Sequence, residues 1–185
     1  PDHCTHLLDL EQCLIRLHKY NLKLNLPKCL FSGSAIPYLG FTLTPQGVLP
    51  GEEKLRAVKQ FPSPDTVTKI KEFIGLTNYF RHMIDHFSLL SGHLTRLTAK
   101  DSTWKGGQLP PQAEEAFQSL KKRLCQRPLL AFPRKDRPFI LATDAATGSA
   151  DSPGGLGAVL SQRREDGQEV VIGYASRSLR EHEKN

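Results

Sequence analysis

KIKEFIGLTNYFRHMIDHF, residues Lys69–Phe87, is the stretch on which the reading of this 185-residue chain turns. Apolar residues recur at Val67, Ile70, Phe73, Ile74, Phe80 and Ile84, the three-and-four spacing of one buried helix face. Lys69, Lys71, Glu72, Asn78, Arg81 and His82 fall largely off that face. Gly75 interrupts the pattern. Glycine costs about 1 kcal/mol against alanine inside a helix, so the spacing predicts a bend or a join between two helices there. The stretch reads as a helical hairpin whose polar side is either merely solvated or set against a phosphate backbone.

On its N-terminal side the punctuation is clear. Pro62-Ser63-Pro64 stops a helix over Gly51–Gln60, with Leu55 and Val58 inward and Glu52 and Glu53 in the first turn, where the helix dipole favours them. Thr66 suits the N-cap of the next helix. Before these, Ala35–Thr44 and Gly47–Leu49 read as a strand pair, with Pro45-Gln46-Gly47 as the turn. Residues 2–20 read as an amphipathic helix seamed by Leu7, Leu10, Leu14 and Leu17, with Asp2 or Thr5 as cap. Leu22–Leu26 alternates strictly and predicts a half-buried strand ended by Pro27; Lys28–Phe31 would continue as a second.

On the other side, Ser88–Ala99 continues helically through Leu90, Leu94 and Leu97, and Lys100–Gly107 is a loop holding Trp104. Pro110-Pro111 opens a helix with Ala113, Ala116, Phe117, Leu120 and Leu124 inward. Its Lys121, Lys122 and Arg123 complement the dipole. The composition changes near Pro128–Pro138. Pro138–Thr143, Gly155–Gln162 and Glu169–Ala175 read as strands, the last two joined at Asp166-Gly167. Thr147–Gly154 reads as a loop.

Bulk properties narrow the function. The chain is 38% hydrophobic and 24% charged, an ordinary globular composition. A net charge of +6 and a pI near 9.2 are compatible with a polyanionic partner, and charge alone does not separate nucleic acid from an anionic membrane surface. No segment approaches the ~18 apolar residues of a membrane span, and the start lacks a secretory layout. Cys4, Cys13, Cys29 and Cys125 form no paired spacing and read as buried or free thiols in a reducing compartment.

Several short words carry a resemblance. They are Leu24-Asn25 with Lys28-Cys29 and Phe31; Tyr38-Leu39-Gly40-Phe41; Pro62-Ser63-Pro64; Phe73-Ile74-Gly75-Leu76 with Asn78-Tyr79-Phe80-Arg81; and Ala116-Phe117 with Leu120-Lys121. Thr143-Asp144-Ala145, Gly157–Gln162 and Tyr174–Leu179 complete the set. In this order the chain resembles the reverse transcriptase–ribonuclease H polyprotein of gypsy-type LTR retrotransposons, kin to retroviruses. The resemblance implies an α+β layout: a C-terminal palm segment with the primer-grip hairpin over 1–50, a helical thumb over 51–100, a connecting segment over 101–137, and the first antiparallel strands of a ribonuclease H-like fold over 138–185. It implies template–primer binding, to an RNA–DNA hybrid or a double strand, through Tyr38, Leu39, Gly40, Phe41, Lys69, Lys71, Asn78, Arg81 and His82. Physical reasoning agrees. A glycine lets backbone approach a sugar-phosphate chain closely, and a cationic helix tracks a duplex without reading its sequence.

The resemblance also implies which chemistry to expect. Polymerisation in this family uses two metal ions on palm aspartates, and the family's adjacent aspartate pair is not in this sequence; that palm is expected upstream of Pro1, and this chain is not expected to polymerise DNA. Asp144 matches the first ribonuclease H carboxylate, both catalytic and metal-binding, for Mg²⁺ or Mn²⁺ in the intact parent; the segment itself is expected to hold no ion stably. The next catalytic glutamate is expected after Asn185, and the role is not carried to Glu181 or Glu183. The Ala146–Gly154 loop is longer than the family's, and its Asp151 reads as a solvated loop residue. His82 and His86, or His3, Cys4 and His6, lie close enough to suggest zinc, but no four-ligand set assembles.

The expected partners are the template–primer and the remaining palm, fingers and ribonuclease H parts, with no membrane. The expected location is a cytoplasmic virus-like particle or the nucleus. The alternative function is a host-retained or decayed derivative serving as a non-catalytic binding or scaffolding module.

Overall fold

Residues 2–126, 128–148, 154–180 and 183 are described by the computed structural model. The chain divides into two units, Pro1–Gly33 and Ser34–Asn185.

The first unit is helix α1 (His3–Lys19) and a tail. Asp2 caps it, its carboxylate accepting the Thr5 amide at 2.8 Å. The strands expected over Leu22–Leu26 and Lys28–Phe31 do not form. Asn21 takes a left-handed turn, residues 22–25 are irregular, and Leu26–Lys28 is a single 3₁₀ turn. A strand needs a neighbour for its amides and carbonyls, and no strand among the described residues lies beside this stretch; the Leu22, Lys28 and Cys29 amides bond back locally to Leu17, Asn25 and Leu26. The leucine seam of α1 likewise buries none of its members.

The second unit begins with a three-stranded antiparallel sheet, β1 (Ile36–Tyr38), β2 (Phe41–Thr44) and β3 (Gly47–Pro50), in that order. The single strand expected over Ala35–Thr44 is therefore two. Leu39 and Gly40, both at positive φ, fold it back on itself so that Tyr38 pairs with Phe41. Helix α2 (Glu52–Gln60) follows, then α3 (Val67–Asn78) with Thr66 at its N-cap, as expected. Gly75 does not bend the chain; it sits inside α3 with open space around it. The break comes over Tyr79–His86, where Arg81–Met83 makes a 3₁₀ turn and His86 is left-handed, before α4 (Phe87–Leu97). Side-chain ties within that segment, described below, end the helix where local propensity does not.

Helix α5 (Pro111–Cys125) closes the core. Phe73, Phe80, Phe117, Ile70, Ile84, Leu94 and Leu120 are fully buried, and the Phe73 and Phe117 rings meet at 4.5 Å. Two cations expected only to offset the α5 dipole have nearer partners. Lys121 donates to the Phe61 carbonyl at 2.7 Å, and Arg123 to that of Asp85 at 2.8 Å.

The second antiparallel sheet is β4 (Ile140–Ala146), β5 (Gly155–Arg163) and β6 (Glu169–Ser178). Its first strand starts two residues later than expected. Leu130 and Ala131 stitch the two sheets together. Leu130 exchanges two backbone hydrogen bonds with Val48, and the Ala131 amide donates to the Val171 carbonyl. The compositional change near Pro128–Pro138 thus lies within one unit. Asp151 and Glu181 lie outside the described residues; Glu183 forms a bidentate pair with Arg177.

Candidate nucleic-acid interface

The ribbon turn at Leu39-Gly40 is held from two sides. The Gly51 amide donates to the Gly40 carbonyl at 3.0 Å, and the Tyr79 hydroxyl donates to the Leu39 carbonyl. The Tyr79 ring stacks on Phe41, centroids 5.0 Å apart, and Phe80 meets Phe41 edge-on at 5.6 Å. One aromatic cluster therefore fixes the ribbon to the C-terminal end of α3. Tyr38 and Leu39 stay 57% and 71% exposed on its outside. A groove of about 600 Å³ runs beside it, lined by Tyr38–Thr42 and Leu49–Lys54.

The expected helical cations fare differently from one another. Lys69 is paired with Asp65 at 2.8 Å, and the hydrogen bond from Lys69 holds the Asp65 carboxyl below its ordinary range. Lys71 and Asn78 are exposed and have no protein partner among the described residues. Arg81 donates to the Ser176 carbonyl at 2.7 Å, and His82 Nδ1 lies 3.3 Å from the Tyr174 carbonyl oxygen. Both side chains are thus turned to strand β6. His86 instead faces the Asp85 carboxylate at 3.5 Å, so the two histidines do not converge.

Asp144 pairs with Gly157, and Gly157 with Ser176. Cross-strand partners share a face. That face meets the start of α4: the Ser176 hydroxyl accepts the Ser88 amide at 2.9 Å, and a Cβ on Gly157 would lie 3.3 Å from the His86 ring. The Asp144 carboxylate is exposed and accepts the Ala145 amide. It lies beside a shallow cavity of about 470 Å³ with Thr143, Ala158 and Arg177. Among the described residues no three His, Cys, Asp or Glu side chains converge as metal ligands. A Mg²⁺ ion needs near-octahedral oxygen ligation. Asp144 alone does not fit such a site, and no reaction step follows from it.

Sequence reasoning missed Lys54 and Tyr79. Tyr79 had a signal, a polar-tipped aromatic beside the buried face. So had Lys54, a cation in the first turn of α2, where the dipole disfavours positive charge.

Residues 109–185 match the RNase H-like domain found in reverse transcriptase. The whole chain is 35% identical over 192 residues to the retrovirus-related Pol polyprotein from transposon opus of Drosophila melanogaster, and covers 18% of it. It is 31% identical over 193 residues to that from transposon gypsy of the same fly, covering 17%. Against the transposon Tf2-3 polyprotein of Schizosaccharomyces pombe it is 30% identical over 184 residues, covering 13%. Each alignment takes in 100% of this chain, which therefore spans less than a fifth of these relatives. In fold it is similar to the foamy viral protease–reverse transcriptase in complex with RNA/DNA hybrid, with a TM-score of 0.76 and 19% identity over 99% of this chain and 24% of that one. A second structure of that protein, its dRH form in complex with double-stranded DNA, gives 0.75 with the same identity over 97% and 30%. No helix among the described residues is long and apolar enough to cross a membrane. The homologues of this chain are retrotransposon Pol polyproteins, and what its residues 109–185 match is the RNase H-like domain found in reverse transcriptase.

Proposed function

We propose that this chain is the template–primer-holding part of a gypsy-type reverse transcriptase–ribonuclease H, with β1–β3 as primer grip, α2–α4 as thumb and β4–β6 as the opening of the ribonuclease H-like domain. The observation that carries the reading is the fastening of the exposed ribbon turn to the end of α3 through Tyr79. It makes one rigid surface of two parts that must move together along a duplex. The net charge of +6 supports a polyanionic partner. So does the likeness in fold to the foamy viral protein, whose structure is a complex with RNA/DNA hybrid.

Within this reading, Tyr38–Phe41 lie along the primer backbone while Lys71 and Asn78 reach phosphates directly. Lys69 and Arg81 add positive potential from positions already bonded to protein, and His82 lies beside Arg81 as a further polar contact. Asp144 is the first ribonuclease H carboxylate, with Mg²⁺ or Mn²⁺ completed by ligands from other parts of the polyprotein. Binding of an RNA–DNA hybrid across a salt series tests the proposal. The affinity should fall linearly with log salt, and Lys71→Ala should take about one from the slope, as the loss of a single phosphate contact does. Asp144→Asn should leave the slope as it is. Salt-independent binding by the unaltered chain would discard the reading.

A further inference from the structure

Gly40 has a φ of +74, and a side chain there would meet a lysine. A Cβ there would lie 2.7 Å from Cε of Lys54 and 3.1 Å from the Tyr79 hydroxyl. The bare backbone that sequence reasoning reserved for a sugar-phosphate chain is crossed by the Lys54 stem. That stem leads the ammonium to 4.1 Å from the Tyr79 ring centroid. Tyr79 itself is bonded to the Leu39 carbonyl and stacked on Phe41, while Gly51, just before α2, is bonded to the Gly40 carbonyl. The ammonium is therefore held in place by the ribbon turn it overlies, at the side of the 600 Å³ groove.

Stability does not account for this placement. A cation in the first turn of a helix opposes the dipole, and a partly exposed cation–π contact returns only about 0.5–1 kcal/mol. No carboxylate is paired with Lys54 among the described residues. From this geometry we infer that Lys54, in the first turn of α2, is a phosphate-contacting residue beside the ribbon turn, presenting one directed ammonium to the backbone of the bound primer or template strand. The inference rests on the duplex-binding reading and adds to it a residue and a position. Glu52 and Glu53 line the same groove and lower its potential, so the contact is one aimed point charge rather than a cationic patch. Tyr79 acts through Lys54 as a positioning residue.

Hybrid binding across a salt series with Lys54→Met and Lys54→Arg tests this. Methionine keeps an apolar stem over Gly40 and removes the charge; arginine keeps the charge. Lys54→Met should reduce the slope by about one, and Lys54→Arg should restore it. In the unaltered chain, an amine-reactive reagent should label Lys54 freely and lose that access when hybrid is bound. This readout holds even where Lys54→Met folds poorly. Unchanged slope in Lys54→Met, or unchanged labelling of Lys54 on hybrid binding, overturns the role of Lys54 and leaves the duplex-binding reading in place. Absence of salt dependence in the unaltered chain overturns both.

Discussion

Lys69 and Lys71 stand two residues apart on α3 and have different surroundings. Sequence reasoning placed both off the apolar face, where they are. What it lacked was Asp65, which holds Lys69 one helical turn away. The same gap applies to Arg81 and His82, whose carbonyl partners on β6 lie more than ninety residues away in the chain. Residue type and periodicity reveal a charge and its face, but not the distant backbone group that occupies it. His93 offers a test at this scale. Burial pushes its imidazole below the ordinary value of 6.5; Arg96 adds to the shift and Glu115 opposes it. The unfolded chain therefore binds the proton first on acidification. The stability that neutral His93 contributes is present above the unfolded value of about 6.5 and is lost as the pH falls from there through the lower folded value. Thermal melts of the chain from pH 8 to pH 5 should show this decline, and His93→Asn should flatten it.

At the scale of elements, helices with strong punctuation were the most legible. Thr66 caps α3, and Pro110-Pro111 opens α5 with Ala113, Phe117, Leu120 and Leu124 buried as their spacing requires. Strands were legible only where a partner follows closely, as in β5 and β6 around Asp166-Gly167. Alternation in Leu22–Leu26 promised a strand that has no partner among the described residues. Gly75 promised a bend that tertiary ties placed several residues later, because a glycine weakens a helix without deciding where it stops. The glycine that does decide local structure is Gly47. It is buried with φ +146, and a Cβ there would fall on the Leu130 carbonyl oxygen. Gly47→Ala should cost about 1–3 kcal/mol in strain. It should also loosen the Val48–Leu130 bridge, detected as faster proteolysis between Cys125 and Ile140.

At the scale of the whole second unit, the shared core of α2–α5 was readable from its apolar spacing, whereas the seating of β4–β6 on that core was not. That seating depends on the outer border of β6. There the Val171 carbonyl takes the Ala131 amide, the Tyr174 carbonyl faces His82, and the Ser176 carbonyl takes Arg81. Strand borders left open are sites of unwanted pairing, and covering them with another element is one way to prevent it. Arg81→Ala should remove a charge-assisted bond of about 1.5–3 kcal/mol. It should also speed amide exchange along β6 more than along β5, as measured by hydrogen–deuterium exchange.

The segment Tyr79–His86 thus has fastenings in two directions. Through Tyr79 it grips the hairpin, and through Arg81 and His82 it grips the rim of the distant sheet. Eight residues form a yoke between the surface proposed to bear a nucleic acid and the strands that carry Asp144. If a nucleic acid on one arm steadies the other, linkage requires that steadying the second tighten the hold of the first to the same degree.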